Sequence, residues 1–166
     1  MADKRPVIDI RWTLADKIIE NSSWALLVIL WVMSVYCFFA LPQIIPIHFN
    51  GAGNADRFGD KSTLLLLPVV CTVLLLGMTK INQYPHLFNF PIPVTSDNAP
   101  SQYRLAQRMI RFLKLAIVLI FISINIFTTL TVKGMSPGLE SWLIPVIVVL
   151  IFIPTIWFLI KSLRLP

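Results

Sequence analysis

Residues 24–41, WALLVILWVMSVYCFFAL, contain no side chain that carries a charge. An α-helix rises about 1.5 Å per residue, so roughly 20 such residues cross a hydrocarbon layer of about 30 Å. Three further stretches, 64–79, 115–132 and 142–160, are equally free of Asp, Glu, Lys, Arg and His. The pattern predicts an all-α membrane protein, a four-transmembrane-helix bundle with spans near 24–41, 62–79, 113–132 and 142–160.

With 166 residues, 57% of them hydrophobic, and a mean hydropathy of +0.78, the spans and their connections use almost the whole length. One integral membrane domain, 1–166, is therefore expected, with no room for a separate soluble domain. The mixed-charge opening MADKRPVIDIRWTLADKIIENSS has no small-residue cleavage site behind the first apolar run, so that run is expected to stay in the mature chain. Cys37 and Cys71 both fall inside spans, where a thiol acts as a small apolar packing group rather than as half of a disulfide.

The net charge of +6 is unevenly placed. Lys4, Arg5, Arg11 and Lys17 precede the first span. Lys80, Arg104, Arg108, Arg111 and Lys114 lie between the second span and the start of the third, and Lys161 and Arg164 follow the fourth. Only Arg57, Lys61 and Lys133 occupy the alternate loops, which gives eleven basic residues against three. Cytoplasmic loops collect Lys and Arg, so both termini and the loop 80–112 are expected in the cytoplasm and the loop 42–61 outside. The same distribution argues for lipid, not nucleic acid, as the charge partner. In VIDIRWTLADKIIE, Ile8, Trp12, Ala15 and Ile19 recur at helical spacing with Asp9, Asp16, Lys17 and Glu20 off that stripe, predicting an interfacial amphipathic helix. Arg104, Arg108 and Arg111 recur at i, i+4, i+7 after Pro100 and form a basic face expected to meet anionic headgroups, at about 1 kcal/mol each.

Inside the spans the polar groups are hydroxyls and amides, and Asn125, Thr128 and Thr129 share one helical face. Interhelical or local backbone hydrogen bonds are their ordinary use; lining the pore of a homo-oligomeric transporter or channel is the alternative. Charge-free spans speak against ion-coupled transport. Pro68, Pro145 and Pro154 are expected to bend their helices.

The outward loop reads LPQIIPIHFNGAGNADRFGDKS. Pro42 and Pro46 stop the helix near Leu41 and favour a stiff, extended, still apolar segment along the interface, followed by turn chemistry at Gly51, Asn54 and Gly59. His48, Asn50, Asp56 and Lys61 are the candidate ligand-binding residues. In the inward loop, His86 and Asn89 stand among Pro85, Pro91 and Pro93 and are secondary candidates. No GxSxG elbow, HExxH helix, P-loop or dinucleotide turn occurs, so no catalytic residue is assigned and no cofactor is implied. His48 with Asp56 and Asp60 is a conceivable ligand set for a metal-dependent hydrolase at the membrane surface. Its spacing matches no standard zinc signature, and the charge count places the two histidines on opposite faces of the bilayer, so no metal is assigned.

The spacing of Leu41-Pro42, Ile45-Pro46, His48-Phe49-Asn50, Gly53, Asp56, Lys61 and Pro68 resembles the LPxxIPxHFN…G…D…K signature of a bacterial membrane domain of unknown function. That domain also forms the N-terminal part of the Sdp immunity-protein family. The resemblance covers roughly residues 25–75, and YPHLFNFPIPVTSDNAPSQYRLAQRMIRFLK is similar to the second loop of short relatives. It implies a multi-pass protein of the bacterial cytoplasmic membrane with the motif loop at the bilayer edge. The full-length immunity proteins are longer and have more spans. The expected function is non-enzymatic sensing or immunity-like binding of an extracytoplasmic peptide or a partner membrane protein.

Overall fold

The computed structural model describes residues 5–165; Lys4, counted above with the basic residues of the N-terminal segment, lies outside them. Four helices are long and apolar enough to cross a membrane: α1 (Leu14–Ala40), α2 (Leu66–Ile81, entered through a 3-10 turn at Lys61–Leu65), α3 (Ala99–Val132) and α4 (Leu143–Leu163). The chain is thus a mostly helical, multi-pass membrane protein. It is not wholly helical. Between α1 and α2 stands an antiparallel hairpin of β1 (Ile44–Phe49) and β2 (Ala55–Asp60). The first strand occupies the segment expected to be extended; the second, ADRFGD, carries no apolar alternation that would announce it.

Two helices begin well before their apolar runs. Thr13 caps α1 reciprocally with Asp16: the Asp16 N–H donates to Thr13 Oγ1 at 3.2 Å and the Thr13 N–H to Asp16 Oδ2 at 2.9 Å. The interfacial helix expected over 8–20 is therefore absent as a separate element. Residues 5–13 are not helical, α1 runs unbroken from Leu14, and Asp16 and Glu20, read as the solvent side, are buried. Ile8 and Ile10 instead pack with Phe90, Val94, Ala99 and Tyr103, and the Tyr103 hydroxyl donates to the Pro6 carbonyl at 3.0 Å. Helix α3 begins at Ala99 with Pro100 in its first turn, where the missing N–H has no intrahelical partner to lose. The same reasoning corrects the expectation of three bent helices, since Pro68 and Pro145 also fall in the first turns of α2 and α4. Pro154 alone sits in a helix interior.

Helices α1, α2 and α3 share the main apolar core, Leu27 and Leu30 against Cys71, Leu75 and Val118, while α4 packs mainly on α3. A second cluster, Cys37, Leu41, Ile45 and Leu64, joins the hairpin to the bundle. Large apolar side chains such as Phe39, Val73 and Ile153 point outward, where lipid and not water would solvate them. The polar span residues turn inward. Asn125 donates to Ser34 Oγ at 2.9 Å, Thr129 donates to the Asn125 carbonyl at 2.9 Å, and Thr128 is buried. Asn125, Thr128 and Thr129 thus face the inside of one chain, which removes the residues that the pore reading relied on.

Candidate functional site

The hairpin is held by its own sequence. The Leu41 N–H bonds the Cys37 carbonyl and closes α1 immediately before Pro42. Lys61 reaches back to donate to the Leu41 carbonyl at 3.1 Å, with its ammonium 5.3 Å from the Phe38 ring centroid. A cation is favourable at a helix C-terminus, so Lys61 clips the foot of the hairpin to the end of α1. Gln43 and Asp60 are hydrogen-bonded across that foot, and Ile45, 1% exposed, plugs it into the bundle. Asp60 also caps the following turn by accepting the Ser62 N–H at 2.8 Å, which holds its carboxyl below the usual carboxylate range.

At the far end, Asn50 Oδ1 accepts the N–H groups of Ala52 (3.0 Å) and Asn54 (3.1 Å), an Asx-type turn. Gly53 has φ +85°, and a Cβ there would sit 1.9 Å from the Leu139 carbonyl oxygen. That approach is needed because the Leu139 N–H donates to the Gly53 carbonyl at 2.7 Å, while Asn54 bridges Gly138. The first and third loops are thereby fastened together. Asn50 and Lys61, two of the candidate ligand residues, both bond backbone groups that hold the hairpin.

His48 and Asp56 fasten neither the foot nor the tip of the hairpin. The strand register carries irregularities between Pro46 and His48 and between His48 and Phe49, and it brings His48 Nδ1 to 2.5 Å from Asp56 Oδ1. Both side chains are exposed, at 46% and 40%. With the carboxylate accepting, Nδ1 carries the proton and the ring is oriented, so Nε2 is the nitrogen presented to a ligand. Among the described residues Nε2 has no hydrogen-bond partner, and exposed Ile44, Ile47 and Phe58 stand on the same hairpin. Asp60 is at the opposite end of β2, engaged with Gln43 and Ser62, and no group of three or more His, Cys, Asp and Glu comes together among the described residues. The pair can orient a hydrogen bond or carry a charge.

At the other end of the bundle, the Arg5 guanidinium donates to the carbonyls of His86 (3.3 Å) and Phe88 (2.5 Å), and Asn89 is exposed. His86 and Asn89 form no side-chain pair there. The main feature of this end is a buried ionic ladder between α1 and α3. Arg108 Nε donates to Asp16 Oδ1 at 2.9 Å, Arg111 lies 3.7 Å from Asp16 and 4.0 Å from Glu20, and Lys114 bonds Glu20 and, at 2.6 Å, Thr79 Oγ1. Trp12 covers the Arg111 guanidinium at 4.3 Å, and the Trp24 indole N–H donates to Glu20 at 2.9 Å. Arg111 and Lys114 are 2% and 0% exposed. Of the three arginines expected at the lipid surface, Arg104 is exposed, Arg108 is half-buried and Arg111 is enclosed, because the carboxylates of α1 provide nearer partners than headgroups do. A signal was present: acids at i, i+4 leading into one span and bases at i, i+3, i+6 leading into another can face each other as a ladder.

Residues 25–72, which hold most of α1, the whole hairpin and the start of α2, match the model of a family described as a domain of unknown function, DUF1648. An uncharacterized protein of Archaeoglobus fulgidus is similar, 37% identical over 71 residues, a match that covers 38% of this chain and 39% of that protein. The chain thus spans about two fifths of the length of the curated relative it matches. No solved structure matches. The family match falls on the segment that builds the hairpin and on parts of the two helices that carry it.

Proposed function

We propose that this chain is a non-enzymatic receptor of the bacterial cytoplasmic membrane, sensing or immunity-like in the manner of the Sdp immunity proteins. Both termini face the cytoplasm, and the hairpin outside binds an extracytoplasmic peptide or a partner membrane protein. Orientation rests on the eleven-to-three distribution of basic residues. The ligand reading is carried by one observation. Of the signature residues in the loop, Leu41, Pro42, Ile45, Asn50, Gly53 and Lys61 build or fasten the hairpin, whereas His48 and Asp56 stay exposed and bonded to each other. A fixed frame that presents one oriented polar pair among exposed Ile44, Ile47 and Phe58 suits recognition of a partly apolar chain, with little ordering cost on binding.

The test compares His48→Ala and Asp56→Ala with the parent at matched membrane abundance, by site-specific crosslinking from position 58 and by tolerance to toxins encoded by neighbouring genes. Loss of the crosslinked partner and of tolerance in both variants is expected. Retention of both would end this reading. Labelling of a cysteine at position 48 by a membrane-impermeant reagent in intact cells, with none at position 86, is the expected result for the orientation.

A further inference from the structure

Arg108 belongs to two neighbourhoods. Its Nε donates to Asp16 and its Nη2 to Asp16 and Thr13, which leaves Nη1 without a hydrogen bond among the described residues; 28% of the side chain remains exposed, and it lines two cavities. One is an apolar groove of about 480 Å³ between α3 and α4, walled by Leu115, Leu119, Ile153, Pro154 and Trp157. That volume lies within the roughly 300–1,000 Å³ usual for small-ligand sites. Pro154 lacks the N–H that would bond the Leu150 carbonyl, and both residues line the groove. The other cavity, about 180 Å³, is lined by Ser101, Arg104, Arg108 and Lys161.

The charges around Arg108 do not balance. The ladder sets Arg108, Arg111 and Lys114 against Asp16 and Glu20, an excess of one cation. Arg104 and Lys161 add two more, exposed and without a salt bridge among the described residues. Asp97 lines the neighbouring cavity, beyond Ser101. Depth matches this split. Counting about 20 residues back from Val132 places the hydrocarbon edge near Lys114. Leu115 and Leu119 then lie within the apolar layer and Arg108 just beyond it, among headgroups.

We propose that this site holds one anionic glycerophospholipid. Arg104, Arg108 and Lys161 take its phosphate, and an acyl chain lies in the groove against Leu115, Leu119, Ile153 and Trp157. Any lipid can cover an apolar face; the three cations at the polar end of the groove select a net negative headgroup, through charge-assisted contacts that a zwitterion offsets with its own ammonium.

The full chain in detergent would be titrated with dioleoyl phosphatidylglycerol and with dioleoyl phosphatidylcholine, and retained lipid counted by native mass spectrometry. The expected result is one phosphatidylglycerol bound at least about tenfold more tightly than phosphatidylcholine. The double variant Arg104→Gln/Lys161→Gln, at exposed positions away from the ladder, should lose that preference. Filling the groove by Leu119→Trp, or by Val149→Phe should the first not fold, should weaken phosphatidylglycerol by a similar factor. Equal retention of the two lipids, a preference that survives the double variant, or displacement of the lipid by inorganic phosphate at equal concentration would each overturn the proposal.

Discussion

The two ends of this bundle use ionic groups in opposite ways. At the hairpin, one His–Asp pair stands exposed on a frame fixed by other residues; at the far end, five charged side chains are folded between α1 and α3 with little access to solvent. An exposed pair contributes about 0–1 kcal/mol, because water screens it and competes for both partners. A buried one is different in kind, since removing one partner leaves the other desolvated and uncompensated, at about 3–5 kcal/mol. The buried ladder therefore joins helices, whereas the exposed pair contributes little to joining anything, and recognition is the role proposed for it.

The largest expected effect tests the ladder. Glu20→Ala strands the Lys114 ammonium, which is 0% exposed and otherwise bonded only to Thr79 among the described residues. A loss of about 3–5 kcal/mol in unfolding free energy is expected in detergent denaturation. Pairing Glu20→Leu with Lys114→Met should recover most of it, because an apolar pair of similar volume needs no solvation. A single variant within about 1 kcal/mol of the parent would place Lys114 in water and dissolve the contrast between the two ends.

Next comes the fastening of the hairpin. Gly53→Ala forces a β-carbon against the Leu139 carbonyl at a φ that L-residues rarely adopt, at about 1–3 kcal/mol. Faster hydrogen exchange at the Leu139 amide would report it, with exchange in the α1–α3 interface unchanged. Unchanged exchange at Leu139 would mean that the first and third loops are not joined through this contact.

A smaller effect is expected at Asn125, halfway between the ends. Its bond to Ser34 is interhelical and inside the apolar layer, where such bonds average about 0.6 and reach about 1.7 kcal/mol. Asn125→Ala should lower thermal stability by that much, and Ser34→Ala should add little to it, because the two share one bond. Fully additive losses in the double variant would show that the bond is not the shared term.

The four spans were legible because charge is absent from them over bilayer length, a signal that tertiary structure does not override. The start of α1 was not. Pro100 marks the helix that leads into the third span, but α1 extends back to Leu14 on a local Thr13–Asp16 capping box and on cross-helix pairs that exist only once the helices meet. The same blindness put Asp16 and Glu20 on a solvent face and Arg111 among headgroups, since an amphipathic stripe does not reveal a facing ladder. At the hairpin, His48 and Asp56 were identifiable by residue type, but their pairing needs the strand register, and β2 is too polar to show a period of two. Asn50 and Lys61 looked equally suited to a ligand until their carbonyl and amide partners were in view.

The smallest stability effect belongs to the pair itself, and it sharpens the comparison most. His48→Ala removes an exposed imidazole whose one bond is to an equally exposed carboxylate, so unfolding free energy should change by no more than about 0–1 kcal/mol. Hairpin exchange rates should stay at parent values, because Ile45, Lys61 and Gly53 still hold the frame. Partner capture should nevertheless fall away. A variant that keeps its stability and loses its partner separates recognition from construction within one hairpin. If His48→Ala instead loosened the hairpin, the pair would be one more fastening, and the exposed end of the molecule would be built on the same terms as the buried one.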